Sequence, residues 1–166
     1  MASEDKEQKK VVILLGIVGI LLTVIVMLSI FYVRSTHSMS QAKREAVDIA
    51  KTHAQLEDVE NFYWFNRKET YFTVIGKDSS GKEMIVIIPE KGGSITTFAQ
   101  EEGLNEAQAK QAVKEHYQQN DIQKANLGIY EGKAAWEVVT KTENGSFNYY
   151  LLAFETGEEI NTILGI

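Results

Sequence analysis

Thr70-Tyr-Phe-Thr-Val-Ile-Gly-Lys-Asp-Ser-Ser-Gly81 is rich in β-branched and aromatic residues and ends in a turn signal. A stretch of the same character, Ala135-Trp-Glu-Val-Val-Thr-Lys-Thr-Glu-Asn-Gly145, follows 64 or 65 residues later. Residues of this kind favour strands, and Asp-Ser-Ser-Gly and Glu-Asn-Gly are typical of hairpin turns. Each stretch therefore predicts a strand that leads into a hairpin, and the chain contains it twice.

The repetition extends to both sides of these stretches. Offsets of 64 or 65 also relate three further pairs of segments, apart from the last few residues: 40–43 with 105–108, 84–88 with 148–152, and 93–98 with 157–163. Each copy begins with a helical pattern and continues with short strands. The sequence thus predicts an α+β fold of two tandem units, 40–102 and 103–166, each with one helix packed on a three- or four-stranded antiparallel sheet.

The strands in the middle of each unit carry apolar residues at both alternating sets of positions, as in 84–88 and 147–154. Successive strand residues point to opposite faces, so both faces of each sheet need a cover. One helix, at about 40–54 or 105–119, covers only one face. We therefore expect the other face to pack on the sister unit, so that the two units interlock.

The N-terminal part holds a separate feature, the uncharged run of 23 residues at 11–33. A helix needs about 20 apolar residues to cross the hydrocarbon core of a bilayer, so this run predicts one transmembrane helix. Two alternatives are a buried helix of a soluble protein and a cleaved signal peptide. The run is longer than the roughly 7–15 apolar residues of a signal core, and no small-x-small motif follows it, which favours an uncleaved signal anchor.

Basic residues on the two sides of the run predict its orientation. Lys6, Lys9 and Lys10 precede it, whereas Arg34 is the nearest basic residue after it. The positive-inside rule then places a tail, 1–10, in the cytoplasm and the C-terminal domain outside the cell membrane. A juxtamembrane linker of only six residues, 34–39, is expected to hold this domain close to the bilayer.

Charge limits the partners that the domain can have. Residues 35–166 contain 13 Lys and Arg against 20 Asp and Glu, which gives a net charge of −7. Such a surface repels phosphate backbones, so we expect no nucleic-acid partner and no direct binding to anionic lipid headgroups or wall polymers. The absence of cysteine is compatible with an exported domain that does not rely on disulfides.

The sequence shows no recognisable catalytic, cofactor or metal site. It lacks cysteine, its three histidines have no metal-ligand spacing, and no phosphate-binding or nucleophile motif is present. His53 and His116 match only if the helix register is shifted by two, so we do not treat them as repeat equivalents. Acidic pairs in predicted turns leave one weaker alternative, a hydrolase that uses carboxylates among Glu57, Asp58, Glu101 and Glu102.

Four consecutive aromatic residues, Phe62-Tyr-Trp-Phe65, form the strongest concentration of side chains suited to binding. Aromatic residues are enriched in interface hot spots, but alternation along a strand sends half of them to the core. We predict that Tyr63 and Phe65, or their neighbours, lie on the outer face and contact a partner. The alternative is that the whole cluster is structural core.

Four features together carry a family resemblance. They are the short basic tail, the anchor, the two helix-and-meander units with an alanine-rich first helix, and a glycine shortly before an isoleucine in the closing strands. The chain resembles the TseB-like (YpmB-type) proteins of Gram-positive bacteria, whose ectodomain is a pair of PepSY-like, cystatin-related units. The resemblance implies a non-enzymatic regulator of peptidoglycan elongation that contacts a penicillin-binding protein, with no catalytic residues and no cofactor. PepSY units elsewhere imply an alternative, a membrane-tethered modulator of an extracellular peptidase.

The oligomeric state stays open. Gly16 and Gly19 lack the Gly-x-x-x-Gly spacing of helix dimers, so the anchor gives no support for dimerisation.

Overall fold

We describe the protein from a computed structural model that gives the backbone of residues 2–166 and the side chains of residues 13–31 and 39–166. The chain divides into a unit that ends at Ala42 and a compact unit from Lys43 to Ile166. Two α-helices are present in the described residues, α1 (Ala2–Ala54) and α2 (Glu106–Tyr117), with a short 3-10 turn at Gln100–Glu102. The strands are β1 (Leu56–Asn66), β2 (Thr70–Asp78), β3 (Glu83–Pro89), β4 (Thr96–Ala99), β5 (Ile122–Tyr130), β6 (Lys133–Lys141), β7 (Phe147–Ala153) and β8 (Glu159–Ile163).

Helix α1 contains the predicted anchor. Ile13–Phe31 is a helical stretch of 19 residues with a mean hydropathy of 3.0, long and apolar enough to cross a membrane. The hydroxyls of Thr23 and Ser29 donate to backbone carbonyl oxygens one turn earlier, at 2.9 and 2.8 Å. Both polar side chains are therefore satisfied within the helix, as a hydrocarbon environment requires.

The sequence predicts two helices, at 11–33 and about 40–54, whereas the backbone forms one helix that ends at Ala54. The predicted start at Ser40 is wrong, because residues 34–54 contain no proline or glycine to interrupt the helix. The side chains of the predicted tail, 1–10, lie outside the described residues. The same is true of the predicted linker, 34–39, except for Met39.

The two predicted meanders are confirmed. Strands β1-β2-β3-β4 form one four-stranded antiparallel sheet and β5-β6-β7-β8 form another, each in chain order. The turn between the second and third strands has the same hydrogen bond in both sheets. Gly81 N–H donates to Asp78 O at 2.9 Å, and Gly145 N–H donates to Thr142 O at 2.9 Å. The 64-residue repeat seen in the sequence is therefore a structural repeat.

The positions at which the two helices end correct the alignment of the helices in the repeat. The residue that follows each helix, Gln55 after α1 and Gln118 after α2, has a positive φ of 53° or 55°. These two positions are 63 residues apart, and so are His53 and His116. The two histidines are repeat equivalents after all; matching the helices by their predicted starts, 65 residues apart, had shifted the register by two.

In each repeat the helix covers one face of its sheet, which we call the helix face. In the first repeat Ala46 and Ala50 of α1 are buried, together with Val74 and Val86 of the sheet. Lys43 lies 5.9 Å from the Phe62 ring centroid on that face. In the second repeat Ala109 and Val113 of α2 are buried, with sheet residues Trp136, Val138, Tyr150 and Leu152 in the same cluster.

We call the opposite face of each sheet the far face. Its packing explains why both alternating sets of strand residues are apolar. The far face of the first sheet presents Tyr63, Ile75, Ile85 and Ile87, which belong to the same buried cluster as α2 and the second sheet. The interlocking that the pattern predicts is thus present, and residues 43–166 share one core. From Lys43 onward both predicted units lie in one compact unit, and their bounds, 40–102 and 103–166, stay a prediction.

Candidate functional site

The aromatic run of β1 is the predicted partner-contact site, and the structure places its residues differently. Tyr63 is 7% exposed and Phe65 is fully buried, whereas Phe62 and Trp64 are partly exposed. Tyr63 and Phe65 therefore do not lie on the outer face, whereas the neighbours that the prediction allowed for, Phe62 and Trp64, are partly exposed, and contact with a partner stays a prediction. Alternation along the strand was predicted, but four aromatic residues in a row give no sign of which pair faces the core.

Tyr63 joins the two repeats. Its ring meets that of Trp136 edge-on, with centroids 5.3 Å apart, and its hydroxyl donates to Glu106 Oε2 at 2.6 Å. Trp136 in turn donates from Nε1 to the carbonyl oxygen of Leu104 at 2.7 Å. Edge-on aromatic pairs and hydrogen bonds of buried Tyr and Trp both favour one fixed arrangement. Tyr63 therefore sets the position of α2 against the first sheet.

The hydrogen bond changes the titration of both partners. Burial and the bond to Glu106 raise the pKa of Tyr63 well above its ordinary value. Burial pushes the pKa of Glu106 upward, but the bonds from Lys110 and Tyr63 outweigh burial and leave that pKa lowered. Because the Glu106 pKa is lowered, its stabilising contribution is complete above the ordinary carboxyl pKa and is lost as the pH falls through the lowered value.

Tyr63→Phe is therefore expected to destabilise the protein by about 1 kcal/mol at neutral pH, since a hydrogen bond to a charged group is lost while the ring stays in place. The loss should shrink in acid, where Glu106 is protonated in both proteins. Urea unfolding at several pH values checks this. A loss that is equal at all pH values would contradict the assigned role of Glu106.

Phe65 makes the closest contact between the repeats. A Cβ atom added to Gly128 of β5 would lie 2.3 Å from the Phe65 ring, so the ring sits directly on the backbone of β5. Nearby, Thr73 donates from Oγ1 to the carbonyl oxygen of Leu127 at 2.6 Å, and both residues are fully buried. The far face of the first sheet is thus fitted to the edge strand of the second.

A buried ion pair lies at the tip of the β1–β2 hairpin. Arg67 and Glu137 pair through Nε and Oε2, and their side chains are 18% and 6% exposed. The guanidinium carbon is 5.0 Å from the Tyr149 ring centroid, and Asn126 Nδ2 donates to Glu137 Oε1 at 3.3 Å. In the sequence, Asn66-Arg-Lys indicates only a turn, because no local pattern shows that a hairpin tip is buried.

The acidic pairs do not converge into a site. In residues 13–31 and 39–166, no group of three or more His, Asp or Glu side chains is arranged to hold a metal ion. Glu101 pairs with Lys82 at 2.9 Å, and Glu102 accepts from the backbone N–H of Ala99 at 2.6 Å in a turn. These two of the carboxylates proposed for a hydrolase therefore have structural partners of their own.

His53 and His116 both lie at exposed positions near the ends of their helices. His116 Nδ1 is 3.0 Å from the carbonyl oxygen of Ala112, one helical turn earlier. Phe62 and Trp64, the partly exposed aromatic residues, pack on Phe72 with ring centroids 6.0 and 5.2 Å away. The aromatic run is therefore engaged on both sides of the first sheet.

Comparison with known proteins agrees with this fold. Residues 45–89, from the last turns of α1 through β3, match the family model described as a cell wall elongation regulator TseB-like domain. The chain is 25% identical over 158 residues to a Bacillus subtilis (strain 168) protein named "Probable cell wall elongation regulator TseB", covering 94% of this chain and 98% of that protein. The resemblance to the TseB-like family is confirmed.

A solved structure gives the same result for the fold. The structure described as YpmB protein from Bacillus subtilis superposes with a TM-score of 0.63 at 26% identity. The superposition covers 72% of this chain and 94% of that chain. The predicted α+β fold with tandem helix-and-meander units is therefore confirmed.

Proposed function

We propose, on the premise that this chain carries a TseB-like domain, that it is a non-enzymatic regulator of cell wall elongation that acts by binding another protein. The observation that carries this proposal is the match to the probable cell wall elongation regulator over 94% of the chain and 98% of the relative. A match of this extent includes both repeats and the apolar helix, so the whole arrangement, and not one motif, is shared.

The second element of the proposal is a single-pass membrane anchor formed by Ile13–Phe31. Its length, its hydropathy and the internally bonded Thr23 and Ser29 support insertion into a bilayer. Lys6, Lys9 and Lys10 precede this apolar segment and support a cytoplasmic N-terminus, with residues 43–166 on the extracytoplasmic side.

The third element is the partner. A regulator of wall elongation that has no chemistry of its own acts on an enzyme that has it. The family resemblance suggests a penicillin-binding protein, a transpeptidase that is itself membrane-anchored and would meet residues 43–166 outside the cell. Binding would therefore involve two proteins confined to the same membrane, where even a modest affinity gives substantial occupancy.

We expect the tagged full-length chain, solubilised from its native host in mild detergent, to recover at least one penicillin-binding protein. Fluorescent penicillin identifies such proteins by acylating their catalytic serine. A chain reduced to residues 1–42, which keeps the anchor and lacks the folded unit, is the matched control for non-specific recovery from membranes. Equal recovery with both chains, or recovery with neither, would contradict the proposal. Recovery and inhibition of an exported peptidase instead would favour the peptidase modulator.

A further inference from the structure

The far face of the second sheet is only partly covered. This face presents the odd-numbered residues of β6 and β7 and the residues paired with them. The β1–β2 hairpin lies over its middle, where Phe65 sits on Gly128 and Arg67 pairs with Glu137. Within residues 43–166 the hairpin does not extend to the end of the sheet where β6 finishes and β7 begins.

That end carries apolar side chains with solvent access. Lys141 pairs with Phe147, and Phe147 exchanges two backbone hydrogen bonds with Ile166, at 2.8 and 3.1 Å. In the next row Lys124, Val139, Tyr149 and Ile163 lie side by side. Ile166 is 69% exposed, and Phe147, Tyr149 and Ile163 are partly exposed. We call these the lysine-flanked patch, formed by Lys124, Lys141, Phe147, Tyr149, Ile163 and Ile166.

The repeat explains why this surface is suited to binding. The far face of the first sheet is the one that packs on the sister repeat, through residues such as Ile75 and Ile85. At the 64-residue offset these positions correspond to Val139 and Tyr149. The row of the patch that holds Tyr149 is thus the equivalent of a surface that packs on the sister repeat, whereas its outer pair, Lys141 and Phe147, corresponds to Lys77 and Glu83 outside the buried cluster. Contiguous apolar side chains with solvent access are a feature of interaction sites.

The lysines of this far face have no carboxylate partner within the folded unit. Strands β5 to β8 contain three lysines, and all three, Lys124, Lys133 and Lys141, lie on the far face. No ion pair is formed by these lysines within residues 43–166, where other cations such as Lys77 and Lys82 pair with carboxylates at 2.6 and 2.9 Å. Lys141 instead lies 6.0 Å from the Phe147 ring centroid. The domain carries −7 overall, and Asp121 and Glu143 lie near Lys141 at this end of the sheet, but neither carboxylate forms an ion pair with it within residues 43–166.

We propose that the lysine-flanked patch docks the protein partner, and that the partner contributes an acidic segment with apolar side chains. The proposal rests on the proposed function and specifies its contact surface. Carboxylates of the segment would pair with Lys124 and Lys141, while its apolar side chains cover Phe147, Ile163 and Ile166. An anionic wall polymer would satisfy the lysines but leave the apolar side chains in water, so a protein segment fits both features.

Site-specific crosslinking in the full-length chain tests the proposal. A photo-crosslinking phenylalanine analogue in place of Phe147 should trap a wall-synthesis protein in living cells, through a segment with more Asp and Glu than Lys and Arg. The same analogue in place of Lys133, on the same face but beyond the hairpin, should trap about tenfold less. The double variant Lys124→Glu/Lys141→Glu should reduce the crosslink by about tenfold, and Lys133→Glu by less than about twofold.

The outcomes separate the patch from the proposed function. If the unmodified chain recovers a penicillin-binding protein but position 147 gives no crosslink, or the double variant crosslinks normally, the patch proposal fails alone. It also fails if the trapped segment is basic, is a second copy of this chain or is a wall polymer. If the unmodified chain recovers no wall-synthesis protein, the proposed function fails first. Circular dichroism of the double variant confirms folding, since both lysines are exposed.

Discussion

Glu137→Leu is expected to destabilise the folded unit by about 3–5 kcal/mol, the usual cost of removing one partner from a buried ion pair. The Arg67 side chain is only 18% exposed, and its Nη2 is already buried without a hydrogen-bond partner. Without the carboxylate, the guanidinium keeps its charge in a site that has little access to water. Urea unfolding of the full-length chain in detergent, followed by near-ultraviolet circular dichroism, measures the loss.

Two further variants show whether burial is the cause. Glu131→Leu removes a carboxylate from the neighbouring pair with Lys68, whose side chains are 57% and 71% exposed, and should leave the unfolding midpoint nearly unchanged. Arg67→Met combined with Glu137→Leu removes both charges and should recover most of the lost stability. If Glu137→Leu costs no more than Glu131→Leu, the pair does not hold the hairpin on the second sheet.

The architecture could be predicted from the sequence wherever a pattern repeats. Val86 and Ile87 stand next to each other in a strand whose two faces are both apolar, and this alone required a second cover besides the helix. The structure supplies that cover by packing the far face of the first sheet on α2 and the second sheet. The turns ending in Gly81 and Gly145 were also recognisable, because their residue types are specific to turns.

The candidate site could not be predicted in the same way, because it depends on contacts between distant residues. Whether Tyr63 or Trp64 faces the core depends on where the second repeat lies, and nothing in the local sequence gives that position. Arg67 reads as a solvated turn residue until Glu137, 70 positions later, is placed beneath it. Lys124 and Lys141 likewise form a patch only through strand pairing, and the net charge of the whole domain conceals it.

The interlock and the proposed docking surface belong to one structural feature. The β1–β2 hairpin ends beside Tyr149, where Arg67 contacts the ring, and Tyr149 is also part of the lysine-flanked patch. Any change that lifts the hairpin from the second sheet should therefore alter the patch as well as the stability. Substitutions beneath the hairpin, at β5 residues outside the patch, give a way to test this dependence.

Gly128→Ala is such a substitution, and its expected cost is at or above the upper end of the roughly 1–3 kcal/mol that overpacking usually causes. The added Cβ would lie 2.3 Å from Cγ and 2.5 Å from Cβ of Phe65, and both residues lie in hydrogen-bonded strands. Gly128 has no positive φ, so alanine fits its backbone conformation. With Phe65 absent, the substitution should even stabilise slightly by restricting the unfolded chain.

The Phe65→Ala background provides the decisive measurement. Phe65→Ala alone should cost about 3–5 kcal/mol, because it empties a fully buried ring site. Adding Gly128→Ala should then cost nothing, since the methyl group enters the vacated space, and a double-mutant cycle in urea would give a large favourable coupling. Equal costs of Gly128→Ala in both backgrounds would mean that the Phe65 ring is not what the new methyl group meets. The two repeats would then be held together by the contacts of Tyr63, Thr73 and Arg67, and not by the packing of Phe65 on β5.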